Sequence, residues 1–215
     1  MTEDQIPFDL ADIPAGAVAR GVTAKPDMID GRPALRLALD EPTRAGEPGI
    51  DFVDRPTFLI LPVTAAAGRI AVSIRSGLLP DAPDYARGFA GVAFRVTDTH
   101  FESVYLRPTN GSTVAPEGPR RERAVQYFAY PDWPFDRLRE ERPHGGFEAA
   151  ADIRPDTWAR LVVDFSAAGI RAIIDDVPVL TLDEPLSDGS PGAIALWVDI
   201  GTDAWFRDLE IRVDA

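Results

Sequence analysis

Apolar and polar positions alternate with a period of two along much of this chain, most clearly within residues 88–133. In GFAGVAFRV, Ala90, Val92, Phe94 and Val96 share one face of a strand, while Gly91, Ala93 and Arg95 share the other. A tight turn at Thr97-Asp98-Thr99 leads into FESVYLRP, where Val104 and Leu106 lie opposite Ser103, Tyr105 and Arg107. A face that carries Arg95, Tyr105 and Arg107 beside small residues is too polar for a core and too aromatic for plain solvent. It reads as the floor of a groove. A long loop rich in Pro, Gly and Arg follows, then a third strand that runs into the aromatic and carboxylate corner AYPDW.

The flanking segments carry the same signature. Strands are expected over 6–10, 17–23 and 34–39, with a turn at Asp30-Gly31 and a loop over 41–48. Further strands are expected over 50–53, 58–61 and 69–76, followed by a loop rich in Pro and Asp over 78–87. Residues 134–141 form the best candidate helix, with Asp132 as its cap and Pro134 in its first turn. The last third reads as strands over 147–153, 158–165, 170–175, 177–182, 192–199 and 205–213, with Leu161, Val163 and Phe165 on one face.

Twenty prolines and 17 glycines punctuate these short runs rather than gathering in one linker. That is the pattern of an all-β sandwich or barrel, and with no internal repeat it points to a single domain over 1–215. Without cysteine, neither a disulfide framework nor a zinc–thiolate centre is available. The net charge of −13 argues against nucleic acid or an anionic membrane as partner, because a polyanion requires a basic footprint. The arginines nevertheless gather within or just after the central stretch: Arg95, Arg107, Arg120, Arg121, Arg123, Arg137, Arg139 and Arg142. Their plain reading is solvation or pairing with neighbouring glutamates. The acidic start MTEDQIPFDL shows no signal peptide and no run is long enough to span a membrane, so a cytoplasmic protein is expected.

The runs GFAGVAFRV…FESVYLRPTNG, AVQYFAYPDWPFDRLR, DTWARLVVDFSAAGIRAIIDD and GAIALWVDIGTDAWFRDLEI together resemble the 3-keto-disaccharide hydrolase family. The resemblance covers the last 130 residues or so closely and the first 80 by strand pattern alone. It implies a two-sheet jelly-roll β-sandwich of the concanavalin A-like lectin/glucanase type, with a concave sheet that faces carbohydrate. For some members it also implies cleavage of 3-oxo-glycosides.

On that concave face the candidate substrate-binding residues are Arg95, Tyr105, Arg107 and Trp197, joined by Gln126, Tyr127, Tyr130 and Trp133. Aromatic planes stack on sugar C–H faces, and planar polar groups bridge adjacent hydroxyls. The alternative is that Tyr105 and Trp197 fill a covered sheet while Arg107 pairs with Asp199. Glycoside hydrolysis normally requires two facing carboxylates. The Glu-x-Asp-x-x-Glu pattern of the glucanase branch is absent, leaving Asp132, Glu148 and Asp199 as candidate catalytic groups. Asp208 and Glu210 share a strand face by spacing, though a terminal strand pair is more often solvated. The two histidines, His100 and His144, are scattered, so no transition-metal site is expected; calcium held by loop oxygens is chemically easier. Three readings stand: a hydrolase of (3-keto-)glycosides, a non-catalytic carbohydrate-binding module, and a protein-interaction domain with an aromatic face.

Overall fold

The computed structural model describes residues 5–214. Its strands are β1 (Gln5–Phe8), β2 (Val18–Arg20), β3 (Val22–Ile29), β4 (Arg32–Leu39), β5 (Phe58–Ala65), β6 (Gly68–Leu78), β7 (Ala90–Val96) and β8 (Phe101–Leu106). They continue as β9 (Val125–Tyr130), β10 (Glu148–Ala149), β11 (Trp158–Ser166), β12 (Gly169–Ile174), β13 (Val177–Leu182), β14 (Gly192–Val198) and β15 (Thr202–Val213). A single turn, α1 (Glu41–Arg44), and a short helix, α2 (Phe135–Glu141), complete the regular structure with two 3-10 turns at Pro108–Asn110 and Pro119–Glu122.

The strands form two antiparallel sheets. One runs β13-β12-β11-β6-β15-β4-β3, with β1 added on β15; the other runs β10-β9-β8-β7-β14-β5-β2. Their inner faces enclose the main core, where Val72, Ile74, Leu161, Val163 and Phe165 oppose Val92, Phe94, Val104 and Leu196. Phe94 and Phe165 meet across it with ring centroids 4.7 Å apart. Period-two alternation explains this directly, since Leu161, Val163 and Phe165 are buried as the pattern requires.

Several local expectations are revised. The strand expected over 17–23 is two strands in different sheets, because Gly21 adopts a φ of 66° and turns the chain from one to the other. The loop expected over 41–48 begins with α1, capped by Asp40, whose carboxylate accepts the Thr43 N–H at 2.8 Å. Residues 50–53 form no strand: only a bridge between Pro48 and Phe52 remains, and Val53 and Asp54 sit at φ of 70° and 56°. Over 147–153 only β10 is strand. The cap expected from Asp132 on α2 comes instead from Asp54, which accepts the Phe135 N–H at 2.6 Å.

On the concave face of the second sheet, Phe58, Phe101, Phe128 and Trp197 build a second apolar layer. Gly91 lies flat beneath it; a Cβ there would meet the Val104 carbonyl oxygen and the Tyr105 side chain. The Trp197 indole N–H donates to the Arg55 carbonyl at 2.9 Å, so the loop before β5 is fastened over the ring. This face is therefore largely roofed, with an opening at its Tyr105 end.

Candidate functional site

A cleft of about 510 Å³ opens at that end. Tyr105 and Arg107 at the end of β8 and Phe89 just before β7 form its floor, and Asp199 at the end of β14, three loops and α2 supply walls carrying Asp54, Tyr85, Arg87, Arg120 and Phe135. Tyr105 is wedged between the Trp197 ring at 4.7 Å and the Phe89 ring at 5.9 Å. Burial lifts its phenol well above the usual range, so Tyr105 is a neutral hydrogen-bonding group here.

Arg107 is nearly inaccessible (4% exposed) and its guanidinium is bonded on three sides. It donates to Glu148 at 2.6 Å, to the Tyr105 hydroxyl at 2.7 Å and to the Gln126 amide oxygen at 3.0 Å. Gln126 is fixed in turn by donating to the carbonyls of Tyr127 and Phe147. Arg107 pairs with Glu148 rather than Asp199. Glu148 also takes Arg139 at 2.6 Å and Arg123 at 3.3 Å. Burial pulls the Glu148 carboxyl up, but bonds and charge from Arg139 and Arg107 prevail and hold it below the ordinary carboxylate range. A carboxylate clamped ionised by three guanidiniums is a poor proton donor and has little free basicity. Glu148 serves the site by positioning Arg107.

Asp199 is buried at the cleft wall and holds backbone. One oxygen accepts the N–H groups of Val53 (3.0 Å) and Ile200 (2.7 Å); the other accepts Asp54 N–H at 2.9 Å. These bonds draw two consecutive non-glycine residues into the left-handed region, which is costly for a β-branched valine. Burial raises the Asp199 carboxyl against the opposing pull of those N–H groups. Asp54 is the residue that sequence reasoning did not find. It is 3% exposed and accepts Phe135 N–H through Oδ2, while Oδ1 has no hydrogen-bond partner among the described residues. Burial, with the Asp199 charge adding to it, pushes its carboxyl up to about 7. No spacing signal marks Asp54, because its place depends on a residue 145 positions away.

The other expected residues lie elsewhere. Arg95 is in the interior and not in the groove. A β-bulge in β7, where Arg95 takes a φ of 54°, shifts the pairing with β14 and turns the side chain inward. There it pairs with Glu102 at 2.5 Å and lies over the Phe165 ring. Tyr127 also points inward, because it neighbours Gln126 on one strand and successive residues face opposite ways. Its hydroxyl donates to Glu102 at 2.6 Å. Trp197 belongs to the roofed layer and is fully buried. Trp133 sits outside the cleft, with the guanidiniums of Arg142 and Arg137 at 4.1 and 4.5 Å from its ring. Asp132 is exposed on the same corner, away from the cleft. Tyr130 stacks on Phe101 with centroids 5.1 Å apart. Asp208 and Glu210 pair with Arg32 and Arg160 on the outer sheet. Among the described residues, no group of three or more His, Cys, Asp or Glu side chains comes together as a metal site.

No protein-family model and no curated protein matches the chain. Solved structures do. A Bacillus subtilis protein with a galectin-like fold aligns with a TM-score of 0.56 at 11% identity, covering 96% of this chain and 94% of that one. A prokaryotic β-1,3-1,4-glucanase (lichenase) from a mouse hindgut metagenome aligns at 0.54 and 12% identity, covering 98% and 99%. The carbohydrate-binding module CBM66 from Bacillus subtilis aligns at 0.53 and 12% identity, covering 89% and 96%. The fold is thus the jelly-roll β-sandwich shared by glucanases, galectins and carbohydrate-binding modules.

Proposed function

We propose that this chain is a carbohydrate-active domain that takes a glycoside into the cleft at Tyr105 and Arg107, with Asp54 as its acid–base group. The reading rests on Asp54: a carboxyl at the wall of a cleft, one oxygen unbonded, and a pKa of about 7. Such a group is divided between its two protonation states at neutral pH, the condition that suits both proton donation and proton removal. That glucanases and carbohydrate-binding modules share the fold is consistent with it, although fold alone carries no activity.

The usual glycosidase pair finds little support, because both oxygens of Asp199 are engaged by backbone and Glu148 is clamped. A 3-oxo-glycoside requires less. Its carbonyl acidifies the neighbouring C2–H, so one carboxylate can remove that proton while the C1–oxygen bond breaks. The carboxyl then gives that proton to the leaving oxygen, and water adds across the enone, its hydroxyl to C1 and its proton to C2. This chemistry favours the 3-oxo substrate class suggested by the sequence resemblance. The same lack of a second free carboxylate also supports a non-catalytic binding module as the second reading.

The deciding experiment is release of p-nitrophenol from p-nitrophenyl β-D-glucoside and from its 3-oxo counterpart. Turnover confined to the 3-oxo substrate and reduced by roughly 100-fold or more in Asp54→Asn supports the hydrolase. Turnover that survives Asp54→Asn removes Asp54 from the chemistry. Saccharide binding without turnover of either substrate establishes the binding module.

A further inference from the structure

We infer that Arg87 and Arg120 form an anion-recognising subsite in the cleft, so that the saccharide it takes carries a carboxylate or phosphate group. The inference rests on the carbohydrate reading above and refines its substrate class. Five guanidiniums line the cleft: Arg87, Arg107, Arg120, Arg123 and Arg139. Glu148 is the acidic partner for three of them, Arg107, Arg123 and Arg139. Arg87 and Arg120 have none. Arg87 donates to the carbonyls of Asp84 and Ala86, both at 2.6 Å. Arg120 donates to the Asn110 amide oxygen at 3.1 Å and the Thr109 carbonyl at 3.4 Å. Neither forms an ion pair with a carboxylate among the described residues.

The cationic crowding is physical. Burial, then repulsion from Arg120 and Arg107, holds the Arg87 guanidinium below its ordinary value and outweighs the attraction of the nearby Asp84 carboxylate, which makes no ion pair with it. Asn110, only 4% exposed, anchors the arrangement: it receives Arg120 through its amide oxygen and donates to the Arg123 carbonyl at 3.1 Å. Half-buried cations held by neutral acceptors keep their charge unneutralised, and a guanidinium fork matches a carboxylate or phosphate in two parallel bonds. The setting sharpens the case, because the whole chain carries −13 and would repel an anion elsewhere. A local excess of positive charge inside a cleft on such a chain selects for an acidic ligand. The floor beside it, Tyr105 and Phe89, offers the aromatic surface on which a sugar ring stacks.

The test is calorimetric titration of the full chain with p-nitrophenyl β-D-glucuronide, glucose 6-phosphate, p-nitrophenyl β-D-glucoside and inorganic phosphate, at 50 and 300 mM NaCl. The expected result is that one acidic sugar binds at least tenfold tighter than the glucoside, and that salt narrows the gap. Which acidic sugar does so distinguishes carboxylate from phosphate. In Arg87→Gln and Arg120→Gln, both half-exposed positions that should still fold, the preference should shrink to under threefold. Equal binding of glucoside and both acidic sugars overturns the anion subsite and leaves the carbohydrate reading standing. Binding of inorganic phosphate as tight as that of glucose 6-phosphate, with no glucoside or glucuronide bound, overturns the carbohydrate reading instead. Silence in every titration overturns the anion subsite, and the carbohydrate reading is then decided by the 3-oxo-glucoside assay alone.

Discussion

Asp199 holds the backbone N–H of Asp54 at 2.9 Å, so one cleft carboxylate shapes the loop that presents the other. The same side chain bonds Val53 N–H, and these two contacts offset the strain of two consecutive left-handed residues. Asp199→Asn replaces one accepting oxygen by an NH₂ group that faces a backbone donor. The loop should loosen, with faster amide exchange at Val53 and Asp54 and a stability loss of about 1–3 kcal/mol. Unchanged exchange at these two amides would show that the loop is held by something else.

Asp54 makes a pH-dependent contribution of defined sign. Its folded pKa of about 7 lies above its ordinary value of 3.8, so the folded state binds the proton more tightly than the unfolded chain does. Stability from this group is fully present below about pH 4 and is lost as pH rises through 7. Asp54→Asn cannot ionise, yet it still offers an oxygen to Phe135 N–H. Denaturant unfolding should therefore show the variant gaining on the wild type between pH 5 and pH 8. A difference that stays flat across this window contradicts the raised pKa.

How far the sequence revealed this molecule depends on whether a feature was local. Alternation found the inner faces of β7, β8, β11 and β14, and it set Tyr105 and Arg107 together on the opposite face of β8, whereas the mixed faces of β9 left the side of Gln126 open. It failed at Arg95, because counting by twos passes through a bulge that reverses the residue's side. The dipeptide Gln126-Tyr127 could not lie wholly on one face, and pairing with Val104 sends Tyr127 inward. Asp54 and the clamp on Glu148 were illegible for a different reason. Each is created by contacts between segments far apart in the chain, for which no spacing rule exists.

The displaced Arg95 leads to a prediction about stability. Glu102 is fully buried and bonded to Arg95, to the Tyr127 hydroxyl and to Ser187. Glu102→Gln leaves the Arg95 charge in the core without its counter-ion, a loss expected at about 3–5 kcal/mol. The double change Arg95→Met with Glu102→Gln should lose less than the single one, since no buried charge remains. Urea unfolding of the wild type, both single variants and the double variant measures the coupling. A double variant as unstable as the sum of the two single variants would argue that the pair does not act as a unit.

Arg107 is the cleft's other organising group, and the proposed saccharide binding can be tested through it apart from folding. Removing it still leaves Glu148 paired with Arg139 and Arg123, so no carboxylate is stranded. It does free the Tyr105 hydroxyl and the Gln126 amide oxygen, both of which the guanidinium now fixes. Arg107→Ala should weaken binding of a saccharide by roughly 1–3 kcal/mol through lost charged hydrogen bonds, which is about 5- to 150-fold in Kd. Arg107→Lys keeps the charge but cannot reach Glu148, Tyr105 and Gln126 together, so it should fall close to the alanine variant. Sugar titrations on both variants decide the matter. Full affinity in the lysine variant would mean that charge at this position suffices and that the fork geometry is irrelevant. Full affinity in the alanine variant would place the saccharide outside this cleft.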